Sequence, residues 1–234
     1  IRKLFFLFLV VSTFAVKAQE NSTHGWFLPT RDTLRVLMVF VEVDYDTEPE
    51  LEVLPKGDDR WPKGELPIYA DEVFDAFPHF PKRGTMTKYY DEASLGNFLV
   101  LGDYLPKLYH VKWSEIGNRG IPGLLRNLSE QFKNQDTLIS KAGLEMKDFD
   151  LWKKAKNPGL EKEKSSGEFE GVDHVMIFTR NFHLLPRDNG QASGSTMGFI
   201  NGARSDSYAV FAGGYGLPFS ILRHEFNHLL LGGN

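Results

Sequence analysis

Residues 34–43 read LRVLMVFVEV, a nearly unbroken run of apolar, largely β-branched side chains. A run without polar alternation predicts a strand buried on both faces and central in a sheet. A second such run at 172–179 (VDHVMIFT) predicts another buried strand. Residues 97–104 (NFLVLGDY) predict a third, with Gly102 as a bulge or turn. Shorter strands are expected at 198–201 and 208–211. Helical spacing appears three times. Residues 85–94 (TMTKYYDEAS) end at Gly96, placed as a C-terminal cap. Residues 124–142 carry Leu125, Leu128, Phe132 and Ile139 at helical intervals. Residues 217–231 have Pro218 in the first turn and Gly232 at the end. Acids, prolines and glycines across 44–67 predict a surface insertion, and 153–167 a charged loop. Strands interleaved with helices predict an α/β (α+β) fold, a mixed twisted sheet with packed helices in one domain over 34–234. No repeat at a period of 20–50 residues is visible.

The N-terminus follows another logic. Arg2 and Lys3 precede an apolar run over 4–16, and Val16-Lys17-Ala18 offers a cleavage site. This predicts a signal peptide over 1–18, since the run is shorter than the roughly 20 apolar residues of a spanning helix. The mature protein is expected to be secreted, extracellular or periplasmic, with no membrane attachment after cleavage. Residues 19–33 then form a polar N-terminal segment. Position 1 is Ile, and Asn234 falls directly after a helical pattern, so a C-terminally truncated chain is expected. The absence of cysteine excludes a disulfide framework, a Cys-ligated zinc and a thiol nucleophile. A net charge of −4 gives no electrostatic case for nucleic acid.

The last helix contains His224-Glu225-Phe226-Asn227-His228. Side chains four apart share a helix face, so His224 and His228 can offer imidazole nitrogens to one metal, for which zinc is the best match. Glu225 sits beside the first ligand, where it can act as general base on a water whose pKa zinc lowers to about 7. A catalytic zinc normally takes three protein ligands. In the pattern H-E-x-x-H-x-x-G-x-x-H the glycine turns the chain toward a third histidine. Here the glycine slot holds Leu231 and the third-ligand slot Asn234, with Gly232-Gly233 one place late. The third ligand is therefore expected beyond Asn234, with His174, His183 and Asp188 as upstream candidates. Tyr208 and Tyr215 lie close enough before the helix to be weighed as oxyanion donors, although packing is the commoner use. The acids between Glu42 and Asp59 are numerous enough for calcium's six to eight oxygens, but no EF-hand spacing is present and a solvated acidic loop is the preferred reading.

With those residues in place, three segments carry a resemblance: LRVLMVFVEVDYD, TMTKYYDEASLGNFLVLGDY with its Y-Y-x-E-x-S-x-G-x-F pattern, and VDHVMIF followed by HEFNHLLLGG. The chain resembles secreted metallopeptidases of the zincin class, in particular the immune-inhibitor-A-type group within or near the metzincins. That resemblance implies a zinc-dependent endopeptidase acting on proteins or peptides, with His224 and His228 as ligands and Glu225 as base. It implies an upper catalytic subdomain ending in the HExxH helix. It also implies an outer strand that pairs with extended substrate, for which 208–211 is the candidate. The alternatives are a non-catalytic exported binding protein on this scaffold, and an aminopeptidase-like zincin with a downstream glutamate ligand.

Overall fold

The apolar run at 34–43 becomes part of β1 (Asp32–Asp44), which is bonded on both sides by other strands. The computed structural model describes residues 26–52, 60–154, 159–183, 190–212 and 219–232. Four further strands complete one mixed sheet: β2 (Phe98–Lys112), β3 (His174–Thr179), β4 (Gly190–Ser193) and β5 (Tyr208–Ala212). Their order is β2-β1-β3-β5-β4, parallel throughout except for β4, which runs antiparallel to β5. The five α-helices among the described residues are α1 (Ala70–Val73), α2 (Thr85–Ala93), α3 (Trp113–Ile116), α4 (Gly120–Lys133) and α5 (Phe219–Leu231).

The parity of β1 sorts the core into two halves. Leu37, Val39, Val41 and Val43 pack on one face with Leu124, Leu128 and Phe132 of α4. Leu34, Val36, Met38 and Phe40 pack on the other with Met86 and Tyr90 of α2 and Leu222, Phe226, Leu229 and Leu230 of α5. A parallel sheet covered on both faces explains why its strands read as continuous apolar runs.

Several expectations change. Strand β2 does not turn at Gly102 but runs straight through it. A Cβ at Gly102 would lie 2.8 Å from the Val36 carbonyl oxygen and 2.9 Å from the Phe74 ring, so the glycine serves close approach rather than a turn. The irregularity falls later, where Met38 pairs with Tyr104 but Phe40 with Leu108. Pro106, which has no N–H to give a ladder, sits in that bulge. Helix α4 stops at Lys133, and Ile139, 50% exposed, instead joins an isolated bridge with Glu145. The strand expected at 198–201 is a Gly198–Arg204 bridge and a 3-10 turn at Ile200–Gly202. The surface insertion expected at 44–67 contains core: Trp61 is fully buried, edge-on to Phe40 at 5.4 Å, and its indole N–H donates to the Glu65 carbonyl. Among the described residues no helix is long and apolar enough to cross a membrane, and the expected signal peptide at 1–18 lies outside them.

Candidate metal centre

Helix α5 buries Leu222, Phe226, Leu229 and Leu230 against the sheet and turns His224, Glu225 and His228 away from that core. The Nε2 atoms of His224 and His228 stand 3.1 Å apart, with the rings perpendicular. Two nitrogens bound to one zinc at about 2.0–2.1 Å in tetrahedral geometry would be roughly 3.3 Å apart. The two rings hydrogen-bond directly at 3.1 Å, and their separation and neutral-nitrogen chemistry are also compatible with two ligands to one ion such as zinc.

Glu225 reaches from the helix to the sheet edge. Its Oε2 accepts the backbone N–H of Ala192 in β4 at 3.0 Å. The close approach depends on Gly190. A Cβ there would sit 2.8 Å from Glu225 Cγ, 2.9 Å from the Phe211 ring and 3.0 Å from Ile221 Cγ2. The strand beside the histidine helix is therefore β4, not 208–211. That segment, as β5, is flanked by β3 and β4 and is not an edge, which corrects the sequence expectation.

The upstream third-ligand candidates separate from the pair. His174 has no solvent exposure, and its ring lies 5.3 Å from Phe226. Phe226 is two residues from each of His224 and His228, about 200° round the helix, so His174 faces the opposite side. Ser207 Oγ gives its proton to the Asp173 carbonyl oxygen and so accepts from His174 Nδ1–H at 2.8 Å. His174 Nε2 is left as a buried bare lone pair, and burial pushes the imidazole down to about 3, keeping it neutral. His183 stacks edge-on with Trp113 at 4.7 Å and receives Tyr45 against its ring and backbone. Asp188 and Tyr215 lie outside the described residues. Tyr208 belongs to the half of the core on the far face from α5 and so does not attend the histidines. Among the described residues, no third His, Asp or Glu ligand atom groups with the His224–His228 pair.

One metal-capable group does form elsewhere. Glu42, Asp44 and His110 bring one ligand atom each to within 4.8 Å of one another and can hold a metal ion. The register of β1 and β2 creates it by pairing Glu42 with His110, with Asp44 on the same face two residues on. Glu42 is thus no part of a solvated loop: it is 2% exposed, accepts the Gly64 N–H at 2.9 Å and faces Arg180 at 3.8 Å. The sequence reading did not single out His110, because only strand pairing brings it to those acids.

The surroundings of α5 hold its position. Tyr90 of α2 donates from its hydroxyl to Asn227 Oδ1 at 2.8 Å and packs edge-on against Phe226 and Phe98. Arg223 lies over the Tyr89 ring at 5.0 Å. At the helix end, the N–H groups of Trp26, Phe27 and Leu28 donate to the carbonyls of Leu230, Leu229 and Leu229 at 2.8, 2.7 and 3.1 Å. These bonds satisfy carbonyls that a helix terminus leaves unpaired. Gly232, with φ +72°, closes the helix under Trp26, whose ring would be 2.9 Å from a Cβ there.

No family model matches the chain, and no curated protein matches it.

Proposed function

We propose that this chain is the metal-holding part of a secreted zinc-dependent endopeptidase, with His224 and His228 as two ligands and Glu225 as general base. The observation that carries the reading is the 3.1 Å approach of the two Nε2 atoms on the helix that also sends Glu225 to the outermost described strand of the sheet. The resemblance of the HExxH segment and its preceding strands to zincin-class peptidases supports it. Bound zinc would supply Lewis acidity toward a peptide carbonyl and an attacking water. The chain's residues supply the rest. The imidazoles bind as neutral ligands. Ala192 N–H fixes one carboxylate oxygen of Glu225, leaving the other to take a proton and return it to the leaving amine. An extended peptide would lie along β4, the outermost described strand, and would have to pair with main-chain groups other than the Ala192 N–H, which Glu225 holds.

The test uses the full-length mature protein with zinc and an unfolded protein substrate. Cleavage that stops on chelation is expected. His224→Ala should weaken zinc binding at least about tenfold. Glu225→Gln should keep zinc and lose about 10²-fold or more in turnover. A Glu225→Gln variant that cleaves as fast as wild type overturns the assignment of the base. Zinc binding without any turnover in wild type supports the non-catalytic binding reading instead.

A further inference from the structure

On the face of the sheet opposite α5, between α4 and the turn leading into β5, lies a cavity of about 450 Å³. Its apolar lining includes Leu125, Met197 and Phe199, which are 9%, 3% and 0% exposed. Its charged lining is Arg126, Lys133 and Arg204 against a single acid, Glu130, which is tied to Lys133 at 2.9 Å. In a chain with 31 acids and 27 bases, this concave surface therefore has an excess of positive charge.

The hydrogen-bond inventory points the same way. Ser129 and Tyr208 line the cavity and are each 8% exposed, yet neither hydroxyl bonds to any described residue. Hydroxyls deeper in the core are bonded within the protein. Thr87 donates to the Val100 carbonyl, Ser207 to that of Asp173, and Ser140 Oγ accepts the Leu144 N–H. The two oxygens on the cavity are not sealed from solvent, since neither is among the buried side-chain atoms of the described residues that lack a partner, such as Arg35 Nε and His174 Nε2, so both hydroxyls stand open to whatever occupies the cavity. The Arg126 guanidinium makes no hydrogen bond to a described residue, and Arg204 uses only its Nε, on Thr196 Oγ1 at 2.9 Å. Free guanidinium groups suit planar, bidentate oxyanions better than point charges.

We propose that this cavity binds a small organic oxyanion, a carboxylate or phosphate carried on an apolar body. Arg126, Arg204 and the hydroxyls of Ser129 and Tyr208 hold the anionic head, and Leu125 and Phe199 cover the body. The volume is that of a small-molecule site. The cavity and the His224–His228 pair occupy opposite faces of the sheet, so the proposal does not depend on the peptidase reading.

The experiment is a calorimetric and ¹⁵N NMR titration of the full chain in chelator, so that no metal at the histidine pair can capture the anion. The probes are benzoate, phenyl phosphate and inorganic phosphate, with benzylamine as the cationic control. Saturable binding of benzoate or phenyl phosphate is expected, with amide shifts confined to 125–133 and 195–208. The tighter of the two identifies the head group. Arg126→Ala and Arg204→Ala should each weaken binding about tenfold. Tyr208→Phe keeps the ring and should weaken it about threefold. Gly198→Leu tests the cavity without removing a charge. A Cβ at 198 meets Ser129 and Lys133 only at 3.6 Å, so the backbone tolerates it while the side chain fills the space. That variant should remain folded and lose binding. Absence of saturation, equal binding of benzylamine, shifts elsewhere, or unchanged affinity in the two arginine variants overturns the proposal. Inorganic phosphate binding as tightly as phenyl phosphate overturns the role of the apolar lining.

Discussion

Asp206 lies in the turn before β5, its backbone N–H bonded to the Val172 carbonyl at 2.8 Å. Burial pushes its carboxyl up to about 7; Lys154 opposes this and Asp150 and Glu170 add to it. Between about pH 4 and pH 7 the folded protein therefore keeps a proton that the unfolded chain has released, and stability falls as pH rises through that window. Asp206→Asn should flatten this decline and raise the melting temperature at pH 7.5 relative to wild type, by roughly 2–4 °C if about 1 kcal/mol is recovered. The two variants should converge near pH 4. Parallel melting curves across pH 4–8 would refute it. Residue-scale chemistry was legible in the sequence where it is local. His224 and His228 are one helical turn apart, so their convergence needs no knowledge of the fold. Gly190 and Ala192 carried no such signal, because what they do for Glu225 arises across long stretches of sequence, 33 residues for Ala192.

The segment 85–98 clasps the histidine helix. Its Y-Y-x-E-x-S-x-G-x-F pattern proves to be structural. Tyr90 holds Asn227 and Phe226, Ser94 Oγ accepts the Phe98 N–H at 2.8 Å, and Phe98 packs on Tyr90. The helix end expected at Gly96 is a six-to-one closure. Gly96 N–H bonds to Asp91 and Leu95 N–H to Glu92, with Leu95 itself at φ +55°. Tyr90→Phe retains the ring and removes only the bond to Asn227, so it should cost about 1 kcal/mol, read as a lower urea midpoint at unchanged slope. An unchanged midpoint would mean that Asn227 finds another partner. The elements that sequence misassigned also have a physical explanation. YAVFA is apolar because it is flanked by strands and covered on both faces, which argues for an interior strand rather than an edge. GQAS is short and polar because an edge strand need not be apolar, so β4 left no periodic signature.

At the scale of the whole molecule, the sheet separates two chemistries. The histidine pair and the edge-bound carboxylate belong to one layer, and the cationic cavity to the other. The α/β class and the two long buried strands were readable because a parallel interior writes itself as uninterrupted hydrophobicity. The layering was not, since it follows from the strand order. The start of the described chain closes the first layer. Trp26 to Leu28 cap α5, and the Phe27 ring lies over Gly194 just past β4, where a Cβ would come within 2.5 Å of it. A chain beginning at Gln19 should keep this tie. One beginning at Pro29 forfeits three backbone bonds to Leu229 and Leu230 and should melt roughly 5–10 °C lower. Equal melting temperatures for the two lengths would show the tie to be idle.

That tie makes the amino-terminal tail a handle on the histidines. An exopeptidase nibbling past Trp26 would loosen the far end of the helix long before touching the histidines themselves, so the protein's working lifetime would depend on how far its chain is trimmed from that end.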